Sequence, residues 1–477
     1  MIVAGLALLP APAAGDEDAR PERVYEVDYV IRLVPSERGA RVSVRVGGGA
    51  RHLRALRFRV DPERHTGFRA DGELEVGRRS VLWRPPRGGG VLRYRFLIDH
   101  TRDSESYDAR CGSSYALFRG DDLVPPARVR TAVGARSRSR LRFHLPRTWS
   151  VVTPYPREDD GSFRVDHPDR RFDRPTGWIL AGRLGVVRET VAGVRVAVAG
   201  PVGHGVRRLD LLALLRWTLP TLRRITGALP DRLLVVSAGD PMWRGGLSGR
   251  NSVYIHADRP LITSDVTSPL LHELIHTVMR ARSGPGGDWI SEGLAELYSL
   301  ELLARSRTVG RRRYERALRR MEQRARAVPR LVLDEVRGAA TARAVLVLRA
   351  LDRELERRGG GGLDAVLREL VASPRPITTE RLREVSEKLC GCDLAEFFRK
   401  RVPRPEGAGT GNRAAGCLNV PVFDASGGGP ASSRSLSASS TSGYKGRPAR
   451  PRPPTTNRRS RSPWGPRGPS KTATWAP

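Results

Sequence analysis

His272-Glu273-Leu274-Ile275-His276, followed by Trp289-Ile290-Ser291-Glu292-Gly293-Leu294-Ala295-Glu296-Leu297-Tyr298, is the pair of segments on which the reading of this chain turns. Ser268-Pro269 opens the first segment. Serine suits an N-cap, and proline suits the first helical position, where no N–H is needed. On a helix, residues four apart share a face, so His272 and His276 aim two imidazoles at one point. Glu273 reaches the same cleft without occupying a ligand position, which suits it to take a proton from a metal-bound water. Gly284, Pro285, Gly286 and Gly287 break the helix. A second helix is expected over residues 289–304, and an antiparallel return sets Glu292 opposite the histidines. Two His and one Glu make a three-ligand zinc site with a position left for water. Glu296, one turn after Glu292 on the same face, is placed to orient a ligand histidine from behind. The plain alternative is a pair of half-buried helix histidines beside carboxylates, with Glu292 and Glu296 on a solvated face. It needs the motif, the cap, the glycine-rich reversal and the downstream acid to coincide by chance.

Toward the N-terminus the period changes. Val24-Tyr25-Glu26-Val27-Asp28-Tyr29-Val30-Ile31 and Arg41-Val42-Ser43-Val44-Arg45-Val46 alternate every second residue, and runs at 91–98, 141–145 and 194–198 continue the pattern. Gly47-Gly48-Gly49, Pro85-Pro86 and Gly88-Gly89-Gly90 punctuate them. Residues 22–200 are therefore expected to form an antiparallel β domain with connecting strands. Residues 205–310 combine a helical stretch at 209–222, a short buried strand at 233–236, an alternating strand at 252–256 and the motif helices. Residues 311–403 carry helical spacing at 311–328, 341–358, 363–372 and 379–401, which predicts a helical subdomain. From Glu406 to Pro477 the chain holds eleven basic and two acidic residues among Ser, Pro, Gly and Thr. Residues 404–477 are expected to be disordered, because they cannot bury enough surface to offset their ordering entropy. The fold class expected is α+β and multidomain.

At the other end, residues 1–14 resemble a signal peptide. An apolar run leads to Ala11-Pro12-Ala13, with an acidic start at Asp16-Glu17-Asp18. Export to a periplasm or the extracellular space is the expectation. No later stretch reaches the roughly 18 uncharged apolar residues of a membrane span. The formal net charge is +33, and of 84 basic residues only Lys388, Lys400, Lys445 and Lys471 are lysines. That balance reads as the codon bias of a GC-rich genome. The arginines are dispersed and aromatics are 6%, so no stacking platform for a specific nucleic-acid partner is evident. The charge favours acidic substrates or anionic envelope polymers at low salt. Cys111, Cys390, Cys392 and Cys417 form no CxxC pair. Cys390 and Cys392 stand two apart, too close for an easy mutual bridge. No segment fixes an oligomeric state.

HELIH followed by W-I-S-E-G-L-A-E-L-Y resembles the gluzincin metallopeptidases, whose third zinc ligand is the Glu of an N/S-E-G motif, and in particular the glycyl aminopeptidase family. The resemblance implies an N-terminal β domain, a thermolysin-like catalytic domain and a helical subdomain, and it spans about residues 24–402. It implies zinc ligation by His272, His276 and Glu292, Glu273 as general base, and hydrolysis of peptide or protein substrates by zinc-activated water. Gly245-Gly246-Leu247-Ser248-Gly249 resembles the family's G-G-L-E-H element, which lies beside the substrate backbone. The resemblance makes the following strand, 253–256, the edge strand that pairs with extended peptide. Two positions depart from the pattern. Ser248 stands where the family has a glutamate for the substrate's amino terminus, and no tyrosine lies near Ala340–Ala344, where the family's transition-state tyrosine belongs. Tyr298, Tyr254 and His256 are the substitutes the sequence offers. The rival functions are an exported peptide-binding protein on a degenerate peptidase scaffold and an arginine-driven binder of polyanions, the latter marked by steep salt dependence.

Overall fold

A computed structural model describes residues 23–167, 171–373 and 375–403. The expected signal peptide and the expected disordered tail, with Cys417, lie outside the described residues.

Alternation in the strands sorts side chains into layers. In Val24–Val34, Tyr25, Val27, Tyr29 and Ile31 are buried while their neighbours face outward. This strand sits inside a six-stranded sheet, between Gly39–Val46, which pairs antiparallel, and Arg136–His144, which pairs parallel. The N-terminal sheets are thus not wholly antiparallel, a correction to the expectation. Local alternation reports which residues face inward, whereas strand direction depends on a partner more than a hundred residues away. A four-stranded sheet carrying Leu53–Arg59 and Ser80–Arg84 shares the same core.

A five-stranded sheet with Tyr115–Arg119 and Trp178–Gly182 at its centre comes next. Its strands are apolar on both faces. Ala116, Phe118, Ile179 and Ala181 join the N-terminal core, while Tyr115, Leu117, Trp178 and Leu180 meet Val236, Ala238 and Tyr254 of the following sheet. That last sheet runs in the order Leu184–Val191, Val194–Pro201, Arg232–Ala238, Ser252–His256 and Gly246–Gly249. Its three inner strands are parallel, and the outer two pair antiparallel. The 194–198 run, grouped by sequence with the connecting strands, is therefore built into the sheet that carries the site. The opposite face of this sheet, with Val196, Val198, Val235, Val253 and Ile255, packs on helices.

Arg208–Thr226 and Pro269–Met279 cover that face, Asp288–Arg305 packs on Pro269–Met279, and Arg311–Ala325, Ala339–Arg357 and Gly362–Ala372 follow. Gly293 allows the Asp288–Arg305 and Ala339–Arg357 helices to touch: a Cβ there would lie 2.7 Å from Leu348 Cδ1 and 3.0 Å from Ala344 Cβ. The helix expected over 379–401 is two helices, Thr379–Cys390 and Ala395–Arg401. Gly391 adopts φ 61°, and its N–H caps Glu387, ending the first. The same reversal brings the Cα atoms of Cys390 and Cys392 to 5.2 Å and the two form a disulfide, contrary to the expectation from spacing alone. Cys111 is buried with a free thiol. Among the described residues no helix is long and apolar enough to cross a membrane.

Candidate metal centre

Ser268 caps the Pro269–Met279 helix, its hydroxyl accepting from the Leu271 N–H, with Pro269 in the first turn. The Ser268 N–H donates in turn to Ser299 Oγ in the Asp288–Arg305 helix, which ties the two helices together. Trp289 Nε1 donates to Thr379 Oγ1, and that hydroxyl donates to the Gly286 carbonyl, bracing the loop between the helices. The two helices thereby present His272, His276 and Glu292 to one another.

The three side chains converge. His272 Nε2 lies 3.3 Å from Glu292 Oε2, His276 Nε2 lies 3.4 Å from Glu292 Oε1, and the two Nε2 atoms are 3.3 Å apart. Ligands placed tetrahedrally about 2.0–2.2 Å from a zinc ion stand about 3.3–3.6 Å from each other. The donor set, two imidazole nitrogens and a carboxylate, is also zinc's, so these residues fit such an ion. Each side chain remains 18–29% exposed, which leaves the cluster reachable. Glu296 stands behind His272, its Oε2 3.2 Å from Nδ1. Burial lowers the His272 pKa, but the hydrogen bonds to Glu292 and Glu296 outweigh it and push it up to about 10. Burial raises the Glu292 carboxyl, and His272 and His276 reverse this and hold it well below the usual carboxylate range. Two facing imidazole nitrogens backed by carboxylates are an arrangement that a cation relieves.

Glu273 lies against the sheet edge. A Cβ added at Gly246 would sit 2.9 Å from Glu273 Cγ and 3.0 Å from Ile255 Cδ1. A side chain at Gly246 would press on the Glu273 methylene and on Ile255. The edge strand is Gly246–Gly249 itself, paired antiparallel with Ser252–His256. This corrects the assignment of the edge to 253–256. Ser252–His256 is buried throughout and flanked on both sides, and an alternating apolar run does not reveal how many partners it has. Gly245, Gly246, Leu247 and Ser248 thus occupy or adjoin an outer strand beside Glu273. Trp178 steadies it by donating from Nε1 to the Leu247 carbonyl at 3.0 Å.

The three substitutes for the missing tyrosine are engaged elsewhere. Tyr298 donates to Asp364 at 2.8 Å and Tyr254 donates to the Trp243 carbonyl at 2.7 Å. His256 belongs to a second trio with Asp240 and Asp258. Its Nδ1 accepts from the Asp258 N–H at 3.2 Å, so Nε2 carries the proton and faces Asp240 at 3.3 Å. Neither nitrogen has a lone pair for a cation, and Arg244 ion-pairs with both aspartates. Sequence reasoning did not find the segment Asp334-Glu335-Val336-Arg337, which lines a cavity of about 610 Å³ together with Glu292. It lies more than forty residues downstream in a stretch without a motif.

The fold of this chain is similar to that of solved zinc metallopeptidase and aminopeptidase structures. The chain is similar to an aminopeptidase N family protein from Idiomarina loihiensis at a TM-score of 0.60 and 16% identity, over 78% of this chain and 75% of that one. It is also similar to an M1 zinc metallopeptidase from Deinococcus radiodurans, solved as a mutant, at a TM-score of 0.54 and 18% identity, over 80% and 95%. No protein-family model matches the sequence, and no curated protein matches it.

Proposed function

We propose that this chain is a zinc-dependent metallopeptidase, with His272, His276 and Glu292 holding the ion and Glu273 acting as general base. The observation that carries the reading is the trio of ligand separations, 3.3, 3.3 and 3.4 Å, which match tetrahedral zinc. When bound, zinc supplies an electrophile that brings the pKa of water toward neutrality and polarises a carbonyl. Glu296 keeps the proton on His272 Nδ1, so that Nε2 offers its lone pair. Glu273 takes the proton of the attacking water and delivers it to the leaving amine. The edge strand at Gly245–Ser248 offers backbone groups to an extended peptide. With Ser248 in place of a glutamate, nothing on this strand restricts the enzyme to free amino termini. The aminopeptidase-like reading therefore extends to internal cleavage. HELIH, SEG and the Gly-Gly-Leu element favour the glycyl aminopeptidase family, and the apolar leader at 1–14 favours an exported enzyme.

The test is metal analysis with a peptide-library digest on the wild type and Glu273→Gln. The variant should keep the zinc content of the wild type and lose about 10²–10⁴-fold in turnover. Full activity in Glu273→Gln sinks the assignment. A second reading, an exported peptide-binding protein on a degenerate scaffold, draws on Ser248 and on the engaged hydroxyls of Tyr254 and Tyr298. It expects peptide binding with no turnover in either protein.

A further inference from the structure

On the peptidase reading, one part of the site has no residue. A tetrahedral oxyanion is stabilised by a donor already aimed at where its charge develops, and the hydroxyls that could have served are spent on Asp364 and the Trp243 carbonyl. The cavity of about 610 Å³ at Glu292 narrows the choice. Two of the side chains lining it can donate, Ser283 and Arg337. Ser283 Oγ is directed into its own loop, 2.9 Å from Ser291 Oγ and 3.4 Å from Asp288. Arg337 makes no side-chain hydrogen bond or ion pair with any described residue, although Asp288, Asp334 and Glu335 line the same cavity. Its backbone is nonetheless fixed. The Val336 N–H donates to Asp288 Oδ2, and the Gly286 N–H donates to Asp334 Oδ1, both at 2.9 Å. Val336 itself is buried. The segment is thus laced to the first turn of the helix that carries Glu292, while the guanidinium is left without a partner. Arginine keeps its charge at any working pH.

We propose that Arg337 is the catalytic donor to the oxyanion. As water adds to the scissile carbonyl carbon, the C=O π electrons move onto the oxygen and the guanidinium N–H groups bond to it from the Glu292 side. Glu273 takes the proton released by the water. When the electrons return, the C–N bond breaks and Glu273 passes that proton to the nitrogen. The serine hydroxyl beside it has no share in this step.

The experiment uses zinc-loaded full chain, with R337Q, R337K and R337A assayed beside wild type and Glu273→Gln on one peptide from the library. R337Q should lower kcat about 10²–10³-fold, with zinc content unchanged and KM within about threefold of wild type. R337K should recover part of the loss. Added guanidinium should restore R337A and leave Glu273→Gln inactive, a result that a merely structural arginine does not give. A phosphonate analogue of the tetrahedral species should lose affinity for R337Q by the factor seen in kcat/KM, while product peptide binds as before. An unchanged kcat, a rise in KM alone, or undiminished phosphonate binding overturns the role of Arg337. Turnover that Glu273→Gln abolishes and R337Q spares overturns Arg337 alone. No turnover by wild type overturns the peptidase reading and this role with it.

Discussion

His65 lies in the N-terminal sheets and His272 in the helix pair, and both imidazoles are largely withdrawn from water. His65 is 5% exposed, packed between Tyr94 and Phe96. Its Nε2 donates to the Asp122 carbonyl at 2.8 Å, and its Nδ1 accepts from the Asp61 N–H at 3.3 Å. Burial lowers its pKa and keeps the ring neutral. His272 meets carboxylates instead, and its pKa rises. The difference lies in the partners. A backbone carbonyl and a backbone N–H satisfy the neutral ring of His65 and leave it a packing group. Carboxylates converging on two facing imidazoles create a place for positive charge, which a proton or a metal ion can fill. Depth of burial does not separate His65 from His272, whereas the second imidazole and the shared carboxylate that face His272 do.

The largest test of that contrast is zinc affinity. His276→Ala should weaken zinc binding by more than the roughly 10–100-fold that outer partners cost, read by competition with a chelator. His65→Ala should leave zinc binding unchanged and lower stability by about 1–3 kcal/mol, through the orphaned carbonyl at Asp122 and the vacated volume. Equal zinc affinity in wild type and His276→Ala would break the comparison. Next comes Glu296→Gln, which keeps the shape behind His272 and removes the charge. It should cost about 10–100-fold in zinc affinity, with the fold intact by circular dichroism.

How much of this was legible beforehand depended on range. Ser268, Pro269 and the four-residue spacing of His272 and His276 are local signals, and the helix they specify is the helix observed. Glu292 and Glu296 needed only a reversal across a short glycine-rich loop, and their opposition to the histidines follows from it. The β layers were harder. Tyr115-Ala116-Leu117-Phe118 is apolar because both of its faces are covered, but the sequence does not say by what. Gly246–Gly249 has no side-chain pattern to mark it as a strand, so the edge was given to its more apolar neighbour. The segment holding Arg337 has no signal in the sequence, because it is brought to the cavity that Glu292 lines by two backbone hydrogen bonds to aspartates, and no spacing rule encodes them.

The smallest effect sharpens the comparison from the β side and has a definite sign. Unfolded histidine titrates near about 6.5, and His65 in the folded chain titrates lower because burial disfavours the imidazolium. Between those two values the unfolded chain holds a proton that the folded chain does not. Stability therefore rises with pH across that window. It is fully present above about pH 6.5 and is lost on acidification toward the folded value. One group contributes at most about 1.4 kcal/mol per pH unit. Other groups titrate in the same range, so the informative quantity is the difference between wild type and His65→Gln, in urea unfolding from pH 7 to pH 5. Glutamine can still hydrogen-bond to the Asp122 carbonyl but does not titrate. The variant should be less stable than wild type at pH 7 and lose less on acidification, so the two curves converge toward pH 5. Parallel curves would mean that the ring charges as readily inside the sheets as outside, and the distinction between backbone and carboxylate partners would then fail at His65.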